Sequence, residues 1–463
     1  MRELFAWLIQ KFGHKGAKGG RIASQIILEG FALVILLGTL LLLLPISTKE
    51  GMTTGVLDAL FTATSATCVT GLTVVDTYTH WTMFGQLVIL CLIQCGGLGF
   101  VSLMAIASFL THRRISVHER VVLSTAYNTD DISGTVRLAR NVLITTLGFE
   151  LAGAVLLSAR FVQDFGLKGG IIKGVFTSIS AFCNAGFDLM GQKEPGSSLM
   201  SYVDDPVVCG VVMALIVIGG IGFVVWSDVQ HEVPFVRSRL HTKVAIIVTA
   251  VLVVGGTVLF YAFECNNPET LGGLSGRGEK WLAALFQSVT LRTAGFATVD
   301  QGALTAPSVL VSCFLMFIGG SPGSTAGGIK TVTLAVLIMS ILAVMRGKRD
   351  VNLMGRRIPS RTVLNASMLA VIGVLLIGLG TLLISIFEPG IGLRAVVYEV
   401  ISAFGTVGLS QNLTAALGGA SRVVLIVLMY LGRVGLLTMA VGVFTRHTID
   451  PKISYPEARL MIG

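Results

Sequence analysis

Four short stretches of this chain align column by column, and they restrict its fold more than any other feature. They are SATCVTGL at 65–72, SAFCNAGF at 180–187, VTLRTAGF at 289–296 and SAFGTVGL at 402–409. Each ends in glycine and a large apolar residue, and the glycines Gly71, Gly186, Gly295 and Gly408 are 115, 109 and 113 residues apart. Self-similarity at a near-constant period means repeated structural units. Each stretch follows a moderately apolar segment of about ten residues, too short to cross a bilayer core of about 30 Å as a helix. Longer apolar runs flank them at about 25–46 and 83–110, 141–162 and 206–227, 243–263 and 306–345, and 363–387 and 421–445. The reading is eight spans, two per copy, with a re-entrant helix and loop between the members of each pair.

A second column supports the register. GGLGF at 96–100 matches GGIGF at 219–223, GGSPG at 319–323 and GRVGL at 432–436, at offsets of 25, 33, 24 and 24 residues from the loop glycine. The chain therefore divides into an N-terminal segment 1–24, repeat 1 at 25–110, a linker 111–140, repeat 2 at 141–227, a linker 228–242, repeat 3 at 243–345 with a broken second helix, a linker 346–362, repeat 4 at 363–445 and a tail 446–463. The expected fold class is an all-α membrane protein, with four pseudo-fourfold helix, pore-loop, helix repeats around one pore.

Composition agrees. Only 13% of residues are charged, against roughly 25% in soluble domains, and mean hydropathy is +0.82. The net charge of +9 does not imply nucleic acid, because the basic residues collect on one set of loops: Lys11, Lys15, Lys18 and Arg21, then Arg113, Arg114 and Arg120, then Arg346 to Arg361. Both termini are therefore expected to be cytoplasmic. The first 24 residues lack a cleavage pattern, so the run that follows is expected to be a retained span. Seven cysteines without CxxC spacing point away from a disulfide framework or zinc site.

Non-helical backbone at membrane depth is tolerated only where protein buries it or where it lines a watery cavity. Four such loops in one chain must therefore meet, and around a central axis their carbonyls can replace the hydration shell of a cation. The expected ion-binding residues are Val69, Thr70 and Gly71; Asn184, Ala185 and Gly186; Thr293, Ala294 and Gly295; and Thr406, Val407 and Gly408. The loops CVTGL, CNAGF, RTAGF and GTVGL, with their flanks FTATSATCVTGLTVVDT, SISAFCNAGFD and SAFGTVGLS, resemble those of the Ktr/Trk superfamily of potassium transporters. The resemblance covers essentially the whole chain and fits the KtrB-type membrane subunit. It implies K+ as the transported ion, a bacterial plasma membrane location, a homodimer with a pore in each protomer, and a cytosolic KtrA-like ring of nucleotide-binding regulatory subunits. It implies no organic cofactor on this chain. Only the glycine is common to all four loops, so discrimination against sodium or rubidium is expected to be weaker than in a tetrameric potassium channel.

The segment GGSPGSTAGGIK at 319–330 interrupts an otherwise apolar run. A continuous helix there would lose about 1 kcal/mol per glycine and about 3 kcal/mol at the proline. The expectation is a loop in the cavity beneath the filter, acting as a gate: Gly319, Gly320, Ser321, Pro322, Gly323, Ser324, Thr325, Ala326, Gly327, Gly328 and Lys330, with Arg433 as its anchor. A static kink is the bland alternative for the loop, and an acid-paired packing residue for Arg433. Arg292 and Glu399, each near a loop, are candidates for a salt bridge supporting the filter. Asp76 and Asp300, each five residues after a loop glycine, should lie at the outer mouth, where they concentrate cations or are merely solvated.

Three motifs are decoys. GSTAGGIKT at 323–331 has one residue too many for a P-loop, GLSG at 273–276 falls in a polar loop, and HEVPF at 231 lacks a second histidine, so a membrane hydrolase is disfavoured and no enzyme activity is expected. The main rival is a sodium-coupled symporter of the same architecture. No inverted repeat or midplane acidic pair points to coupling, and sodium as an activator stays open. With short loops, control is expected to come from a partner docking on 111–140, 228–243 and 346–362, and Leu460 to Ile462 are a candidate dimer contact.

Overall fold

The computed structural model describes residues 19–99, 134–230 and 237–435, together with positions 120 and 235. Outside the described residues lie the expected segment 1–24 as far as residue 18, most of the 111–140 linker, the ends of the runs 83–110 and 421–445, and the tail 446–463. The regular structure of the described chain is helical apart from a hairpin of two two-residue strands, β1 (Asn352–Leu353) and β2 (Arg356–Arg357), in the basic linker. Its turn residues Met354 and Gly355 both have positive φ, 48° and 77°, the geometry that tight hairpins need.

Repeat 1 comprises α1 (Gly19–Leu42), the re-entrant helix α2 (Val56–Thr67), a short α3 (Thr77–His80) and α4 (Met83–Gly97). Repeat 2 comprises α5 (Thr135–Cys183), α6 (Pro206–Ile221) and α7 (Phe223–Gln230); repeat 3 has α8 (Leu240–Glu264), re-entrant α9 (Arg277–Thr290), α10 (Ala306–Phe317) and α11 (Thr331–Met345). Repeat 4 has α12 (Ser360–Phe387), re-entrant α13 (Leu393–Gly405) and α14 (Gly419–Val434). Helix α5 holds both the span and the re-entrant helix of its repeat, because it breaks at Gly166 (φ 72°, ψ 173°), a conformation open mainly to glycine. Its two halves fold back closely: a Cβ on Gly170 would lie 2.5 Å from Val162 Cα, and one on Gly174 2.6 Å from Ser158 N.

Among the described residues, four helices are long and apolar enough to cross a membrane, and a fifth if α6 and α7 form one bent span. Helices α4, α10 and α11 are apolar but shorter, since each stops at or begins from a break in the glycine-rich column. The run expected to be continuous over 206–227 bends by 96° between α6 and α7. Starts are set locally: Asp205 accepts from Val207 N and Val208 N with Pro206 in the first turn of α6, and Thr82 caps α4 through Gly85 N, satisfying donors that have no partner inside the helix.

Packing lies on the seams between repeats. One cluster joins Ile89, Phe182, Val212 and Phe296 from repeats 1 to 3; another joins Phe61 to Phe404 and Met429; a third joins Phe260 and Met316 to Tyr398. The outside is apolar instead: Leu40, Leu151, Val254, Leu310, Val371 and Leu375 are each more than half exposed. So many exposed large apolar side chains suit a lipid-facing surface.

Candidate functional site

The four re-entrant helices end alike. The backbone turns left-handed at Val69 (φ 56°), Asn184 (60°), Thr293 (69°) and Thr406 (51°), and again at Gly71 (94°), Gly186 (69°), Gly295 (81°) and Gly408 (91°). For a β-branched residue that geometry costs about 1–2 kcal/mol, so its recurrence at the same column marks a constrained structure. The turn folds the next N–H back onto the helix: Thr70 N donates to Ser65 O, Ala185 N to Ser180 O and Val407 N to Ser402 O, each at 2.8 Å, and Ala294 N to Thr290 O at 2.9 Å. This is left-handed helix termination. Ser65 Oγ and Ser402 Oγ also accept from Gly71 N and Gly408 N, both at 3.1 Å.

Because a trans peptide sets its N–H and C=O in opposite directions, donors drawn behind the loop leave carbonyls facing away from the helix. The carbonyls of Val69, Thr70, Gly71 and their counterparts in the other loops accept no hydrogen bond from any described residue. The loops also meet. A Cβ built on Gly71 would lie 2.5 Å from Ala185 O, one on Gly186 2.9 Å from Ala294 O, one on Gly295 2.6 Å from Val407 O, and one on Gly408 closer still to Thr70 O. These contacts run from 71 to 186 to 295 to 408 and back to 71, a closed ring in chain order. Glycine is required there for room as well as for φ.

Above the ring opens a cavity of about 360 Å³ lined by all four loop glycines and by Asp76, Asp188 and Asp300. Asp76 and Asp300 stand beside the ring in the lining of this cavity, and both also brace loops. Asp76 accepts from Thr79 N at 2.7 Å and Gly196 N at 3.2 Å, and Asp300 from Gly302 N at 2.9 Å. Asp188, two residues after its loop glycine, is the carboxylate that sequence reasoning missed; burial raises its pKa to about 6, with the charge of Asp76 adding to the rise. Its only sequence signal was proximity to the loop.

Beneath the ring, residues 318–330 leave the helix and are largely buried, Ser321 and Thr325 completely. Ser321 N and Thr325 N donate to Gly220 O (2.9 Å) and Gly219 O (3.3 Å), Phe223 N donates to Gly323 O (2.7 Å), and Thr325 Oγ1 donates to Phe182 O at 3.3 Å. Gly327 abuts Thr406 of repeat 4. Lys330 Nζ closes the segment on itself through Ala326 O (2.6 Å) and Gly327 O (3.1 Å). Arg433 reaches in from α14, donating to Thr325 O and to Gly96 O (2.5 Å) and Gly97 O (3.1 Å) of repeat 1. One guanidinium thus ties the segment to two other repeats. No described carboxylate pairs with Arg433.

A family profile described as TrkH, a cation transport protein, matches residues 14–450. The chain belongs to this family. It is similar to the potassium/sodium uptake protein NtpJ of Enterococcus hirae, at 39% identity across 95% of this chain and 97% of that one. It is also similar to the Ktr system potassium uptake protein B of Bacillus subtilis (39%, covering 95% and 96%) and that of Vibrio alginolyticus (38%, 96% and 96%). The crystal structure of the potassium transporter TrkH from Vibrio parahaemolyticus shares the fold, with a TM-score of 0.72 at 18% identity over 93% of this chain and 86% of that one. The resemblance read from the four loops is thereby shown, and membership makes the chain a membrane cation transporter of the Ktr/Trk type and not an enzyme.

In this TrkH-family chain the Arg292–Glu399 salt bridge does not form. Arg292 Nη2 donates to Gly319 O at 3.1 Å, whereas Glu399 accepts from the Thr414 hydroxyl. The reason is depth. Arg292 follows the end of its re-entrant helix, while Glu399 lies six residues before the end of α13, about 9 Å higher at 1.5 Å per residue. Arg292 thus meets the buried segment beneath the ring, and Glu399 meets Thr414, which lines the cavity above it.

The glycine-rich column carries two functions that the sequence did not separate. Its first position allows contact with the repeat's own re-entrant helix: a Cβ on Gly96, Gly219 or Gly432 would run into the carbonyl of Thr67, Phe182 or Phe404. Its fourth position is where the described second helix ends, with φ of 82° at Gly99, 103° at Gly222 and 89° at Gly435. In repeat 3 that position holds Pro322, and the break widens into the buried segment.

Proposed function

We propose that this chain is the ion-conducting membrane subunit of a potassium uptake system, passing K+ through a selectivity filter formed by the loop ring. The observation that carries it is the closed ring of four glycines beside carbonyls without hydrogen-bond donors, the arrangement that can exchange a hydration shell for protein oxygens. The names of the relatives support potassium as the ion. Potassium uptake in uptake-deficient cells tests it. Replacing any one loop glycine by serine should abolish or strongly reduce uptake, or admit sodium, while the protein still reaches the membrane; uptake unchanged by all four replacements would refute the reading.

The buried segment 319–330 acts as the gate and Arg433 as its tether, with Lys330 holding the closed shape. Sodium serves as a modulatory or second transported ion, in keeping with the name of the Enterococcus hirae relative. The chain works as a homodimer in the bacterial plasma membrane, with both termini and the basic linkers on the cytoplasmic side, where a nucleotide-binding ring docks. A sodium-coupled symporter is the competing reading. Potassium flux in vesicles that tracks the potassium gradient without sodium would exclude it.

A further inference from the structure

Between α6 and α8, behind the buried segment, lies a small cleft lined by Ile216, Gly220, Thr249, Val289, Arg292 and Gly320, among others, with room for about one water-sized particle. Its two polar side chains are unsatisfied. Arg292 is 6% exposed; its Nη2 is used by Gly319 O, but its Nε has no partner, and neither has the hydroxyl of Thr249. Guanidinium stays protonated in proteins, and no described carboxylate lies within ion-pair distance of Arg292. A full positive charge is thus held at membrane depth with no counter-charge among the described residues, a costly arrangement unless a partner is supplied.

We propose that this cleft binds a monatomic anion, chloride under ordinary conditions. The chemistry selects it. Both free groups can donate, the walls are otherwise apolar or glycine, and the space is too small for a carboxylate or phosphate. Water would satisfy a donor but leave the charge uncompensated, and a cation would be repelled. Because Arg292 holds Gly319 and Gly320 lines the cleft, the anion is linked to the gating segment. With it bound, the positive charge near the cation path is cancelled and the segment is held by a neutral unit.

The test is direct. Protein crystallised in bromide should show one anomalous peak in the cleft, beside Arg292 and Thr249; the peak should disappear in R292Q and weaken in T249V, which keeps the charge and serves if R292Q does not fold. A cleft that holds only water in bromide overturns the proposal. In proteoliposomes, replacing chloride by gluconate should lower potassium flux by about fivefold or more, because an uncancelled charge beside the path raises the cation barrier. Equal flux in the two salts overturns the link to transport. That link rests on the proposed pathway, but bromide binding does not, so failure of one is distinguishable from failure of the other.

Discussion

A methyl group on a loop glycine meets two obstacles at once. At Gly408 the backbone has φ 91°, which costs an L-residue about 1–2 kcal/mol, and the new Cβ would run into Thr70 O of the adjoining repeat. Gly408→Ala is therefore expected to abolish uptake even where the protein is inserted and folded, a point checked by pairing uptake with size-exclusion chromatography. Arg433 presents the opposite case, a long side chain that only its carbonyl partners justify. Replacing it by alanine removes the tether between Thr325 and Gly96, and a net loss of about 1–3 kcal/mol of anchoring should raise potassium flux several-fold in a protein that still assembles. Flux at the wild-type level would leave Arg433 a packing residue. Motif columns made Arg433 legible, because it stands where other repeats have glycine or serine. Asp188 was less legible, because its position two residues after a loop glycine has no counterpart in the other three repeats.

At the level of elements, the distinctive feature is the breaking of the second helix in repeats 2 and 3. Sequence reasoning found the break in repeat 3, where five glycines and a proline leave no alternative, and missed it at Gly222, where Gly219, Gly220 and Gly222 stand in an apolar run without proline, a pattern compatible with a straight helix. What bends the chain there is tertiary: Phe223 N is claimed by Gly323 O and Ser321 N claims Gly220 O, so the two broken segments share hydrogen bonds. Deleting 321–327 takes out the proposed gate and should increase potassium flux sharply, measured as rubidium or potassium influx; unchanged influx in folded protein would leave the segment a static kink. Gly222→Ala should raise flux more mildly, because the residue must then hold φ 103° against side-chain sterics, which loosens its contact with the segment.

For the whole molecule, the mouth gives a pH signature. Asp188 has its pKa raised to about 6 by burial, so it is charged above that value and neutral below it. Its attraction for cations is lost as external pH falls through about 6, and uptake at low external potassium should fall with it. Asp188→Asn should give the low-pH rate at all values and flatten the profile; an unaltered profile would move the titration to another group. The sign for stability is opposite. A carboxyl raised above its unfolded value favours the folded state in its protonated form, a contribution lost as pH rises through about 6, so the asparagine variant should be no less heat-stable at pH 7.

The primary structure by itself determined that the molecule is a membrane protein of four repeated units, where each loop falls, and that the loops must be brought together. The period, the apolar runs and the recurring glycines are properties of the chain that no packing can alter, and unpaired backbone is not tolerated in lipid. The pairing of distant charges was decided only by the tertiary structure. Arg292 and Glu399 look like partners because both are charged residues near loops, yet the direction of each side chain depends on its depth along a re-entrant helix and on what the neighbouring repeat presents there. The same holds for the ring: each glycine is necessary for it, but closure arises because the four helix ends reach one level and turn their donors backward together.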